Sequence, residues 1–590
     1  MCGLAVIFAY AAHAPPVDAR ELDAIRDAMS ARGPDDVGAW LAPDNRVGLG
    51  HRRLAIIDLS PAGHQPMALP DQSAVITYNG EIYNFAALRS ELLAQGRALV
   101  SHSDTEVLLH LYERDGADCV RHLRGMFAFA IWDARKRGLF LARDPLGIKP
   151  IYLADDGATV RVASQVKALL AGGRVGRGAE PAGHVGFFLW GHVPDPWTLH
   201  RDIRALPAGH TMWIDAHGPR AARSYFTVET ALAAPTDTLE SGALQRHLAD
   251  SVRHHFVADT PVGVFLSAGI DSGVLASFAA REKGADLRTI TLAFEGGTEE
   301  DESPLAARVA AAFGVRHETH RIGRAHFSQA RTRLFRAMDQ PTTDGINTYF
   351  VAEAARAAGL KVALSGLGGD ELFAGYPSFR QIPRSVAALA PFHRCPAAGR
   401  AFRAVSAPLL RHLTSPKYAG LLEYGGTEGG AYLLRRGLFM PWELPDILDG
   451  DIVREGWRRL EPLARVDAVA AALPGARQKV SAMEMTFYMR DRLLRDADWA
   501  GMAHGVEIRV PYVDTALLAC LAPALACPVP PDKRALAACA PLALPSQIVN
   551  REKTGFVVPM RAWLAGDGVH AAGERGLRGW ARHVHGAFAA

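Results

Sequence analysis

Over the first part of the chain, short apolar runs are separated by glycine, proline and charged turns, the rhythm of strands joined by tight connections. Gly3 to Phe8 is an apolar strand after a small-residue start, and Gly48 to Asp58 is a strand with basic residues near its beginning. Ala74 to Tyr78 is a third, running into Asn79-Gly80-Glu81. Gly125 to Asp133 and Gly138 to Asp144 read as a hairpin of buried strands. Asp18 to Arg32 and Leu88 to Gln95 carry helical spacing, and Ser103-Asp104-Thr105-Glu106 opens a further helix as a capping box.

From Val262 the pattern alternates strand and helix, which predicts a doubly wound α/β sheet. Val262 to Leu266 is a short apolar run, and Val274, Leu275 and Phe278 follow at helical spacing up to Arg281. Leu287 to Phe294 is the second strand, Glu302-Ser303-Pro304 opens a helix to Phe313, and Gly314 to His317 leads into a third strand. A helix over Thr238 to Phe256 precedes the first strand, and residues 378–479 are helical without evident chemistry.

At 590 residues the chain is too long for one core, so at least two domains are expected. Positive and negative charges nearly cancel to a net +3, which gives no electrostatic case for nucleic acid or a membrane surface. The six cysteines have no metal-ligand spacing, consistent with a reduced cytoplasmic protein. No apolar segment approaches the roughly 18 residues that span a bilayer, and Met1 to Tyr10 lacks the basic region of a signal peptide.

Two stretches carry the chemistry of the second half. Ser267 to Ser272 is a small, polar loop between strand and helix, a layout that presents backbone N–H groups to an anion. Asp271 in it would repel a phosphate unless a divalent cation intervenes, which points to magnesium and pyrophosphate. The loop is not a Walker A sequence, since no Gly-Lys-Ser/Thr follows. Lys361 to Tyr376 repeats the design, a short strand running into a glycine-rich loop that ends in Asp370. Two parallel strands ending in such loops would place both carboxylates at one sheet edge.

These two loops resemble those of the synthetase domain of glutamine-dependent asparagine synthetases, in the ATP-pyrophosphatase superfamily. The first domain resembles class II glutamine amidotransferases at Cys2-Gly3, Arg32-Gly33-Pro34-Asp35, His51-Arg52-Arg53-Leu54, Asn79-Gly80-Glu81-Ile82-Tyr83-Asn84, Ser103-Asp104-Thr105-Glu106, Gly125-Met126-Phe127-Ala128-Phe129 and Arg143-Asp144-Pro145-Leu146-Gly147. The resemblance implies an N-terminal-nucleophile αββα glutaminase over residues 2–215, a linker over 216–237 and the α/β synthetase domain with helical additions over 238–564; the Gly-, His- and Arg-rich composition of the tail over 565–590 suggests a loose end.

The resemblance also implies roles. Cys2 would be the nucleophile, its own α-amine (pKa about 8) serving as base once Met1 is removed. Asn79 and the Gly80 N–H would form the oxyanion hole. Arg53 would take the glutamine α-carboxylate and Asp104 the α-ammonium, with Asn79 and Glu81 beside them; Asp104 also suits a plain helix start. Leu266, Ser267, Gly269, Asp271, Ser272, Leu292, Ser365 and Gly366 would bind ATP, and Asp271 and Asp370 magnesium. Lys553, in Arg551-Glu552-Lys553-Thr554-Gly555-Phe556, would neutralise developing phosphate charge. Glu507 and Arg509 read as a structural ion pair.

The implied reaction activates a carboxylate, aspartate by default, as an acyl-adenylate and passes to it ammonia from glutamine. A sugar acid or peptide is the alternative acceptor, and a nucleotide-binding relative without turnover and a lone glutaminase are rival readings. The partners implied are small molecules, with a homodimer left open. The sequence departs from the family pattern at Gln165, where the family often has Glu, at Ala268 and Gly273 in the first loop, and at Leu367, where some members have an acidic residue.

Overall fold

The structure is a computed structural model that describes residues 2–295, 301–393, 395–413, 415–551, 563 and 577–589. Among these residues three sheets form. The first runs Ile203–Ala205, Tyr152–Asp155, Thr159–Ala163, Gly3–Ala9, Val47–Arg53, Asp36–Leu41, all antiparallel. The second runs Gly218–Pro219, His210–Asp215, Gly138–Arg143, Gly125–Asp133, Ala74–Ile82, Met67–Ala68, with Arg223–Ser224 paired to His210–Asp215.

Side-chain alternation explains why these sheets stack. Leu4, Val6 and Phe8 point from the first sheet onto Val75, Ala128, Ala130 and Leu141 of the second. Ala5 and Ile7 point the other way, onto Leu22 and Ile25 of the helix Ala19–Asp27. Phe127, Phe129 and Phe140 cover the far face of the second sheet together with Leu88, Leu92, Val107 and Leu111 of two helices. The result is the expected helix–sheet–sheet–helix layering, and it accounts for strands that read as apolar on both faces.

The third sheet is wholly parallel, in the order Arg316–Ile322, Arg288–Phe294, Val262–Phe265, Val362–Leu364, Glu507–Arg509. The chain order reverses at Val262–Phe265, so the loops after it and after Val362–Leu364 are neighbours at the sheet's carboxyl edge, the position where open α/β sheets bind ligands. Helices Ala243–His255, Ile270–Lys283, Ser303–Ala312 and Ile346–Ala357 cover the faces. The described residues between 378 and 483 add the expected helices, and Glu484–Leu494 continues them as a π-helical stretch. No helix among the described residues is long and apolar enough to cross a membrane.

Three local expectations shift. The strand from Ala74 continues to Ile82, so Asn79, Gly80 and Glu81 are strand residues paired with Ala128, Phe127 and Met126. The helix ahead of the parallel sheet begins at Ala243 after a left-handed Gly242, not at Thr238. Ser103 does cap the helix Asp104–Asp115, but no reciprocal box forms: Glu106 accepts from the N–H groups of Val100 and Ser101, both at 2.8 Å, and the Ser103 N–H donates to Ser101 Oγ.

Candidate functional site

Cys2 immediately precedes the strand Gly3–Ala9 of the first sheet and is buried. Its backbone N–H donates to Asn79 Oδ1 at 2.9 Å. That bond fixes the Asn79 amide and leaves its Nδ2 buried without a hydrogen-bond partner, a donor available to a ligand. Burial raises the Cys2 thiol above its ordinary value, opposed chiefly by positive charge at the chain's amino end. Gly80 is required by packing, since a Cβ there would lie 2.2 Å from the Met126 carbonyl oxygen.

Asp104 sits at the first turn of its helix and accepts from Tyr78 Oη and from the Ile82 N–H, each at 3.0 Å. Its carboxylate is therefore turned toward the strand that carries Asn79 and Glu81. Burial raises the pKa of Asp104, and these two donors oppose the rise. Arg53 is buried and donates to the carbonyls of Ser60 (3.1 Å), Ile57 (3.3 Å) and Asp58, so it shapes the 57–60 loop. His51, on the same strand, bonds the Tyr78 carbonyl through Nε2 at 2.9 Å, and burial pushes it down to about 3.

The second centre lies at the carboxyl edge of the parallel sheet. The loops carrying Asp271 and Asp370 approach so closely that side chains are excluded between them. A Cβ at Gly369 would meet Asp271 Oδ1 at 2.5 Å, and one at Gly366 would meet the Ser272 nitrogen at 3.1 Å. The Ser272 hydroxyl knits the first loop by bonding the Ser267 N–H and the carbonyls of Ser267 and Gly269. Tyr512 Oη donates to the Asp271 carbonyl at 2.9 Å, and the Ser365 N–H donates to the Arg509 carbonyl at 2.8 Å. Leu266, just past the strand Val262–Phe265, and Leu292, on the neighbouring strand, are both buried, and the Leu266 N–H donates to the Ile290 carbonyl at 2.9 Å.

Sequence reasoning missed Lys533. Its ammonium pairs with Asp271 and lies 2.8 Å from Asp370 Oδ1. Burial works against that charge, but the two carboxylates outweigh it and hold its pKa above the ordinary lysine value. One cation thus already reaches both aspartates. No cluster of three or more His, Cys, Asp or Glu suited to a metal occurs among the described residues. Lys553 lies outside the described residues.

The helical additions also reach this edge. Arg436 stacks between the rings of Tyr376 (4.4 Å) and Tyr488 (3.7 Å) and donates through Nε to Glu484 Oε2 at 2.9 Å. Tyr376 Oη donates to Glu371 Oε1 at 3.0 Å. Isolated Arg, Glu and Tyr positions spread over more than a hundred residues gave no sequence signal for this wall.

The departures find physical reasons. Ala268 is not among the positive-φ residues, so its Cβ adds no backbone strain. A Cβ at Gly273 would lie 2.8 Å from Leu544 Cδ2, so that side chain fills the space. Leu367 packs against the main core of the domain. Gln165 precedes the helix Val166–Ala171, whose first N–H groups, of Val166 and Lys167, donate to Asp339 of the other domain at 3.0 and 3.1 Å. The negative charge at that helix start comes from across the junction.

The two domains meet at a junction that is buried at Arg32 and Arg509 and partly exposed at its edges. Arg32 Nε donates to the Cys2 carbonyl at 3.0 Å while its other nitrogens grip Asp498. Arg124 pairs with Asp514 and Asp250, both at 2.6 Å, and Lys361 with Asp35 at 2.7 Å. Glu507 and Arg509 form the expected ion pair at 2.6 Å, fully buried.

Residues 1–226 match the family described as glutamine amidotransferase domain, and residues 243–588 match the asparagine synthase family. The chain is 32% identical to asparagine synthetase [glutamine-hydrolyzing] 1 of Bacillus subtilis, over 96% of this chain and 88% of that protein. It is 33% identical to asparagine synthetase [glutamine-hydrolyzing] 3 of the same organism, over 61% and 60% of the two chains. With asparagine synthetase B of Escherichia coli it shares 32% identity over 65% of this chain and 66% of that protein. Two stacked antiparallel sheets between helices, a parallel sheet with paired aspartate loops and matches across nearly the whole length identify the chain as a member of the glutamine-hydrolysing asparagine synthetase family.

Proposed function

We propose that this protein makes asparagine from aspartate, glutamine and ATP, releasing glutamate, AMP and pyrophosphate. Cys2 attacks the glutamine amide, and the Asn79 Nδ2 and Gly80 N–H donate to the oxyanion that develops. Arg53 and Asp104, with Glu81 beside them, hold the α-carboxylate and α-ammonium. In the second domain the loops of Ser267 to Ser272 and Ser365 to Gly366 cradle the nucleotide phosphates, with Leu266 and Leu292 against the adenine.

Asp271 and Asp370 would hold magnesium, which neutralises phosphate charge when bound. Lys533 stays beside them as a fixed cation facing the leaving pyrophosphate. Lys553 would serve the developing phosphate charge.

The observation that carries this reading is the Arg32 guanidinium, which joins the Cys2 carbonyl to Asp498 inside the buried junction. A nucleophile tied into a synthetase domain suits ammonia made in one centre and used in the other. The test is product analysis with ATP, magnesium, glutamine and a panel of carboxylates. Aspartate-dependent AMP formed one for one with asparagine is the expected result. AMP formed with another carboxylate and none with aspartate would replace the acceptor.

A further inference from the structure

Arg509 ends the last strand of the parallel sheet, and its whole side chain is buried. Nε donates to Glu507, and Nη1 donates to the carbonyls of His255 (2.8 Å) and Val257 (2.7 Å). Those carbonyls close the helix Ala243–His255, where a cation is favourable. Only Nη2 is left without a hydrogen bond. It faces Glu81 Oε2 across the domain junction at 3.3 Å, and that oxygen also lacks a hydrogen-bond partner. Burial, and then the charges of Glu507 and Asp104, raise the Glu81 pKa well above its ordinary value, and the Arg509 guanidinium opposes that rise, so the charge of Glu81 depends on Arg509.

A second tie lies beside it. Asp259 Oδ2 accepts the Asp58 N–H at 2.8 Å, and the Asp259 N–H donates to the Ile56 carbonyl at 2.9 Å. The loop so held is the one whose carbonyls Arg53 grips. Both sides of the glutamine pocket therefore lean on the synthetase domain.

We propose that Arg509 is a positioning residue of the glutamine site: its guanidinium fixes the Glu81 carboxylate, so the glutamine pocket is complete only when the synthetase domain is docked. This rests on the reading of Glu81 and Asp104 as residues of the glutamine pocket. The Arg509 backbone carbonyl, which holds the Ser365 N–H, is a separate device. Side-chain substitution leaves it in place, so the two functions of this position can be told apart.

The experiment compares glutamine hydrolysis by the full-length protein with that of Arg509→Gln, Arg509→Lys, Glu81→Gln, Asp104→Asn and the double variant Arg509→Gln/Glu81→Gln. Arg124→Gln, which breaks another interdomain pair, is the control for loosened docking. Arg509→Gln is expected to raise the KM for glutamine about tenfold or more with a smaller change in kcat, and Arg509→Lys to recover part of that loss. The double variant is expected to be no worse than Glu81→Gln alone, the mark of two residues acting through one contact. Arg124→Gln should lower the melting temperature and leave that KM within about twofold. Additive effects in the double variant, or an unchanged KM in Arg509→Lys together with Arg509→Gln, would overturn the proposal. Should Arg509→Gln not fold, an Arg509→Lys KM equal to that of the parent protein overturns it alone. If Glu81→Gln and Asp104→Asn both keep the parent KM, it is the reading of the glutamine pocket that fails.

Discussion

Arg32 and Asp498 meet across the domain junction as a bidentate pair, at 2.7 and 3.0 Å, with side chains 2% and 4% exposed. The same guanidinium donates to the Cys2 carbonyl, so the backbone of Cys2 is tied to a helix of the synthetase domain. Removing one partner of such a pair leaves a buried charge uncompensated, at a cost of about 3–5 kcal/mol. Asp498→Asn is therefore expected to lower the melting temperature and to loosen the junction. The glutamate-to-asparagine product ratio should rise above that of the parent protein. A ratio that stays at the parent value in a destabilised variant would confine the pair to a structural role.

Cys2→Ala should abolish glutamine-dependent synthesis and leave synthesis from added ammonia, because the nucleophile and the aspartate loops are separate centres. Loss of both activities in a folded variant would contradict that division. The α-amine can act as base only after Met1 is removed, so active enzyme should begin at Cys2 by mass spectrometry of its N-terminal peptide. Fully active protein that retains Met1 would refute the amine as base.

Asp271→Asn and Asp370→Asn should each suppress magnesium-dependent pyrophosphate release while glutamine is still hydrolysed at Cys2. Each removes one negative charge from the pair proposed to hold magnesium beside the triphosphate. Lys533→Gln acts from the other side. It takes away the cation that now spans both carboxylates, and AMP formation should fall by about tenfold or more as fixed charge opposite the leaving group is lost. Pyrophosphate release measured against ATP at several magnesium concentrations separates the two effects. Full turnover in Lys533→Gln would leave Lys533 as a counter-charge for the aspartates and nothing more.

The two aspartate loops were legible because their design is local: a short strand, small residues and one carboxylate within a few positions. Cys2, Asn79 and Asp104 were legible because their motifs are likewise compact. What the sequence hid depends on docking. Lys533 lies 262 positions from Asp271, Asp339 caps a helix 173 positions away, and Arg509 meets Glu81 only across two folded domains. Glu507 and Arg509 looked like a structural pair because that bond is local to one strand. The third contact, to the glutamine domain, has no local pattern. The Ser103 motif misled in the opposite sense: Glu106 is drawn to the free N–H groups of Val100 and Ser101 instead of closing the box.

Acid should loosen the junction through His255. Its ring packs against Tyr83 of the other domain, tilted by 42° with centroids 4.3 Å apart, and its Nδ1 bonds the Ser251 carbonyl at 2.8 Å. Burial pushes its pKa down to about 4; the charge of Asp514 and the Ser251 bond oppose this, and Arg509 and Arg124 add to it. The folded protein thus keeps His255 neutral at a pH where the unfolded chain has already taken up a proton. A depressed folded-state pKa gives stability that is full above the unfolded value of 6.5 and is lost as pH falls toward 4. Over that window the loss from this one group amounts to about 3 kcal/mol. The melting temperature should fall between pH 6.5 and 4, and His255→Gln, which cannot titrate, should flatten that acid limb by about one proton's share. An acid limb of the same slope in His255→Gln would mean that His255 titrates alike in the folded and unfolded states and that other buried groups carry the effect.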